Sequence, residues 1–144
     1  MEDRQRLQQM VDEINMYQSQ LDVLKQQIES VQASIAELAS AEETLEAVKG
    51  KDNTETFVPI GAGSFLITEL KNTDQVIMGL GAGAAAKKSI DDAKESIASQ
   101  RKELEQLVEK MMGDVQKLTD YIMKKSPEAE ALLQKVESEG AQRQ

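Results

Sequence analysis

No cysteine, no histidine and no tryptophan occurs in these 144 residues. Disulfides, thiolate nucleophiles and thiolate metal sites are thereby excluded, and the commonest metal ligand and general base is missing as well. Catalytic residues, metal sites and cofactors are therefore expected to be none. Aromatic residues make up only 3% of the chain, with Phe57 and Phe65 as the only phenylalanines, which argues against a large globular core. Apolar runs are too short to span a membrane, and the opening MEDRQRLQQM has no apolar signal segment, so a soluble, cytoplasmic protein is expected. Lysine and arginine total 17 against 26 acidic residues, a net charge of −9, and they form no stripe that would displace counterions from nucleic acid. A basic protein surface suits the acidic flanks better.

What the chain does have is heptad order. Charged residues reach 30%, and apolar residues recur every seven positions. Leu7, Ile14, Leu21, Ile28 and Ile35 occupy position a, while Met10, Tyr17, Leu24, Val31, Leu38 and Leu45 occupy d. Glu42 and Lys49 are the misfits. Because the positions between are mostly Gln, Glu, Asp, Ser and Lys, the seam is narrow, as in a coiled coil rather than a globular core. This first helix is expected from about Asp3 to Lys49, ended by Gly50.

Of the eight glycines, all but Gly113 and Gly140 fall between Gly50 and Gly83. Between them lie four short apolar runs, TETFVPI, SFLITEL, QVIMGL and AAAKK, separated by GAG, KNTD and GAG, which predict two successive β-hairpins. Phe65 and Ile67 share one face and Leu66 and Leu70 the other, while Val76 and Met78 oppose Ile77. Both faces are apolar, and isolated hairpins are marginal in water, so other chains must cover them.

Ser89 and Asp92 resemble a capping box and start the second helix. Its seam places Ile90, Ile97, Leu104, Met111, Leu118 and Leu132 at d and Val108, Val115, Ile122, Ala129 and Val136 at a, interrupted by Lys94, Arg101 and Lys125. Gly113 weakens it by about 1 kcal/mol, and Ser126 with Pro127 suits a kink or a restart. One antiparallel register matches Leu7 with Leu132, Met10 with Ala129, Tyr17 with Ile122, Leu21 with Leu118, Leu24 with Val115, Ile28 with Met111, Val31 with Val108 and Ile35 with Leu104. In that register Glu42 falls between Lys94 and Arg101, so charge pairing helps fix it. The expected organisation is an N-terminal helix over 1–50, a β-hairpin assembly region over 51–88 and a C-terminal helix and tail over 89–144.

Candidate chemistry fails on spacing. QVIMGLGAGAAAKKS carries G-x-G-x-G in place of G-x-G-x-x-G, and a Walker loop requires Gly where Ala86 stands and Ser or Thr where Lys88 stands. The acidic pairs Glu42/Glu43 and Asp91/Asp92 belong to solvated or capping positions of helices. Met111 and Met112 read as packing and a neighbouring surface position.

The segment Phe57 to Ala93, FVPIGAGSFLITELKNTDQVIMGLGAGAAAKKSIDDA, resembles the β region of the prefoldin alpha subunits of archaeal type, in which VPxGxG and a GxG before the last strand recur. NMYQSQL around Tyr17 and SPEAEALL near the end are consistent with it, and the resemblance extends over nearly the whole chain. It implies an ATP-independent holdase: a hexamer of two alpha and four beta subunits with joined β-barrels, coiled-coil tentacles that hold non-native clients at their tips, and hand-over to a group II chaperonin. Carried onto this sequence, assembly maps to Phe57, Val58, Ile60, Phe65, Ile67, Val76 and Met78. Client binding maps to Leu7, Met10, Val11, Leu132, Leu133 and Val136. The alternative is a structural coiled coil that forms filaments through the same strands; an enzyme using the glycine loops is a distant third.

Overall fold

The computed structural model describes residues 2–142 and runs helix, four strands, helix. Helix α1 spans Glu2–Val48 and helix α2 Ile90–Gln142; between them lie β1 (Glu55–Gly61), β2 (Ser64–Glu69), β3 (Gln75–Gly81) and β4 (Ala84–Ser89). The fold is mainly α, as expected: two long helices with two small antiparallel β-hairpins between them.

Helix α1 contains no glycine or proline, and Glu2 and Asp3 in its first turn complement the macrodipole. It stops where Gly50 turns to φ 71° and the Lys51 amide reaches back to the Val48 carbonyl at 3.1 Å. At the start of α2, the Asp92 amide donates to Ser89 Oγ at 3.1 Å, and Asp91 and Asp92 sit in the first turn. Helix α2 runs as one helix across Pro127, so it does not restart at Ser126–Pro127. The seam explains this: Ile122, Ala129, Leu132 and Val136 stay in phase across the proline, so a continuous helix keeps all four at least half-buried.

The chain forms two compact units, each containing part of both helices. In the first, residues up to Gln32 pack with those from Gln106 onward, and Leu21, Ile28, Val108, Met111 and Ala129 are buried. Every expected a and d residue of this unit is buried or half-buried. Side chains mark the register: Tyr17 meets the edge of Tyr121 at 4.7 Å, one residue from its expected partner Ile122, and Lys135 pairs with Asp3 at 3.2 Å.

The second unit, Ala33–Glu105, holds the feet of the helices and both hairpins, with Ile90, Ala93 and Ile97 buried. Of the two cations that the register places on either side of Glu42, Arg101 pairs with it at 2.8 Å, whereas Lys94 takes Glu46 and Lys49 takes Asp91. A loop staple closes the base of the first hairpin. Asp52 accepts from the Thr73 amide at 2.8 Å and from its hydroxyl, leaving Thr73 only 3% exposed, while the Asn53 amide donates to the Leu70 carbonyl.

The hairpins share one design, repeated along the chain. Ala62–Gly63 and Ala82–Gly83 each form a two-residue turn with both φ angles positive, and an extra residue, Ile60 or Leu80, bulges just before it. The glycine-rich motifs are thus hairpin turns, with a strand on either side.

Candidate assembly and client-binding surfaces

Pairing of β1 with β2 sets Phe57 opposite Ile67 and Pro59 opposite Phe65, and Val58 opposite Leu66 on the other face. Within this first hairpin neither face is covered. Phe57 is 61% exposed, Phe65 58% and Ile67 72%, while Val58, Ile60 and Leu66 are exposed as well. Apolar side chains clustered in this way on an open two-stranded ribbon mark an interaction surface. At the open end Glu55 stands opposite Glu69, a like-charge pair that a basic partner side chain would relieve.

The second hairpin differs. Val76 and Met78 are half-buried, and with Ile77 they line a cleft of about 390 Å³ shared with Ala41, Leu45 and Ile97 of the chain's own helices. These two residues therefore serve intramolecular packing in the single chain. Ile77, opposite Lys87, is 71% exposed all the same, and Leu80 is exposed at the bulge. Ile77, Leu80 and Leu66 are further assembly candidates; Leu66 and Ile77 stand on apolar faces by alternation, whereas the exposure of Leu80 follows from the bulge.

At the terminal end of the first unit, Leu7, Met10, Leu132 and Val136 are half-buried in the seam, while Val11 and Leu133 are exposed. Met10 and Leu132 line a cleft of about 330 Å³ with Arg6, Glu128, Ala131 and Lys135. The six expected client residues thus share one unit and divide into seam residues and two open flanking ones. Deeper in the same unit, Tyr121 donates to Glu13 at 2.6 Å, which together with partial desolvation and the carboxylate's negative charge pushes its phenol up to about 12.

In the second unit, Lys94 donates to Glu46 and holds its carboxyl below the usual range, and Lys49 does the same for Asp91 at 2.7 Å. Arg101 is raised by its hydrogen bonds to Glu42 and Glu105. These groups are spent on ion pairs at the helix feet. Among the described residues no cluster of acidic side chains could hold a metal ion, and no helix is long and apolar enough to cross a membrane.

Two long helices with two small β-hairpins between them, the first hairpin bare on both apolar faces, define the class of fold. Comparison with known proteins specifies it. The family model "Prefoldin subunit" matches residues 17–135. Prefoldin subunit alpha of Methanobrevibacter smithii is 49% identical over 132 residues, covering 92% of this chain and 90% of the relative. That of Methanosphaera stadtmanae is 40% identical, covering 92% and 96%. A cryo-EM structure of filamentous PFD from Methanocaldococcus jannaschii has a similar fold, with a TM-score of 0.67 at 21% identity over 77% of this chain and 93% of that one. The chain belongs to the prefoldin family. It is a chaperone subunit.

Proposed function

We propose that this chain is the alpha subunit of an ATP-independent holdase, assembled with beta subunits in an alpha2-beta4 hexamer in the cytoplasm. Residues 51–88 carry assembly, with Phe57, Val58, Ile60, Phe65 and Ile67 meeting neighbouring subunits, a second alpha subunit among them. Val76 and Met78 act there by seating the second hairpin on its own helices. Non-native clients are held where both termini converge, by Leu7, Met10, Val11, Leu132, Leu133 and Val136, and pass from there to a group II chaperonin. Catalysis, a cofactor and nucleic acid have no part in this reading.

The observation that supports it most is the first hairpin, which leaves large apolar side chains bare on both faces. Each such residue gains about 1.5–3 kcal/mol on full burial, so the ribbon is stable only when another chain covers it. At the client end, each covered side chain contributes on the order of 1 kcal/mol. Contacts that weak hold a client only when several subunits act together, and they release it without nucleotide.

Mass spectrometry of the intact complex formed with the beta partner tests this directly. Two copies of this chain with four of the partner are expected, together with suppression of client aggregation. Fibres of this chain alone, with no suppression, would favour the filament scaffold.

A further inference from the structure

Tyr17 and Tyr121 are the only tyrosines of the chain, and they face each other. One comes from each helix, their ring centroids lie 4.7 Å apart, and both side chains are half-buried in the first unit. With no cysteine and no tryptophan in the sequence, these two phenols are the side chains from which a single electron is most readily withdrawn. Charged groups flank the pair. The Tyr121 hydroxyl donates to a Glu13 carboxylate oxygen at 2.6 Å, and Lys125 Nζ, paired with Glu128, stands 5.8 Å from the centre of the Tyr121 ring.

We propose that this pair is an oxidative modification site, at which peroxyl radicals couple Tyr17 to Tyr121 and staple the two helices with a dityrosine bond. It stands apart from the chaperone reading. Each phenol gives up one electron and one proton; the Tyr121 proton passes to Glu13 and the Tyr17 proton to water. Two peroxyl radicals take the electrons and, with two protons from water, become two hydroperoxides. The carbons ortho to the hydroxyls then form one carbon–carbon bond, and the ortho hydrogens move to the oxygens as the rings regain aromaticity. The product is lighter by two hydrogens than the two tyrosines.

Glu13 makes Tyr121 the better electron donor. Lys125 beside the ring makes positive charge there costly, so the electron leaves only as the proton does, and Glu13 already holds that proton in a hydrogen bond. Tyr17 then lies against the ring that carries the first radical. The rings meet edge to face at 68°, and one must swing before the ortho carbons join, which half-buried rings are free to do. Along the chain the two tyrosines connect only through the hairpins, so the bond closes a loop of roughly 100 residues and removes much of the freedom of the unfolded chain. A chain without cysteine has no disulfide to do this, and a carbon–carbon bond survives reducing conditions.

The test exposes the full chain, assembled with its beta partner, to peroxyl radicals from an azobis-amidinopropane initiator in air. Trypsin should then release segment 7–25 joined to segment 118–124, with the mass of the two less two hydrogens. Tyr17→Phe should abolish that product. Glu13→Gln, with helicity and complex mass unchanged, should slow its formation about tenfold or more. Methionine sulfoxide in the same digest shows that the oxidant reached the chain. Sulfoxide without the joined peptides overturns the proposal, and so do bonds from Tyr17 or Tyr121 to another chain in place of the one within the chain. An unchanged rate in Glu13→Gln overturns the role given to Glu13.

Discussion

Replacing Phe65 and Ile67 with alanine removes two exposed apolar side chains from one face of the first hairpin. Their exposures of 58% and 72% mean that roughly two-thirds of each side chain is still in water before assembly. Full burial of Phe or Ile stabilises by about 1.5–3 kcal/mol, so each has about 1–2 kcal/mol left to gain from a partner, and the double variant forfeits about 2–3 kcal/mol. Association should weaken about fiftyfold. Within the free chain the change costs only the cross-strand contacts Phe57–Ile67 and Pro59–Phe65, about 0.2–1 kcal/mol each, so the helices stay intact. Sedimentation velocity across a concentration series with the beta partner reads the midpoint of assembly, and far-UV circular dichroism provides the folding control. An unshifted midpoint with normal helicity would refute the assignment of this face to assembly.

Gly113→Ala should raise stability by about 1 kcal/mol, because the helix interior at Gly113 has open space for a methyl group; thermal melting should move up by a few degrees. Thr73→Val removes the hydroxyl donor to the Asp52 carboxylate and keeps the amide one, and faster amide exchange through Asn53 and Leu70 is expected, with the α2 amides unaffected. The Glu46 and Asp91 carboxyls lie below their ordinary values of 4.5 and 3.8, so their stabilisation is present above those values and is lost as pH falls through the lowered ones. Melting measured against pH should therefore drop below about pH 4, and Glu46→Gln should flatten that drop. The Tyr121 phenol, raised to about 12, stabilises the fold below pH 10 and loses that effect between 10 and 12; tyrosinate absorbance in a Tyr17→Phe background should titrate near the upper value.

Much of this fold is written in local pattern. The a and d residues from Leu7 to Leu45 and from Ile90 to Val136 all lie buried or half-buried, because a seven-residue repeat leaves only one seam to bury. Gly50, Ser89 and the two GAG turns acted as read, since caps and two-residue turns depend on a few adjacent residues. Long-range choices were not legible. Nothing in the apolar alternation distinguishes Val76 and Met78, which line a cleft with Ala41, Leu45 and Ile97, from Phe57 and Phe65, which stay more than half exposed. The Asp52–Thr73 staple joins two polar loops that look interchangeable with any others, and continuity at Pro127 is decided by the seam on either side rather than by the proline. Of the candidate client residues, Val11 and Leu133 were legible as flanking positions, and both are exposed.

One truncation divides holding from assembly: deletion of residues 1–11 together with 129–144. Light scattering of an aggregating client, followed with the truncated subunit assembled to its full mass, is the measurement. Assembly should persist, because both hairpins and the ion-paired helix feet from Glu42 to Arg101 remain, and suppression of aggregation should fall well below that of the intact complex. Suppression equal to that of the intact complex would contradict the claim that the converging termini hold the client.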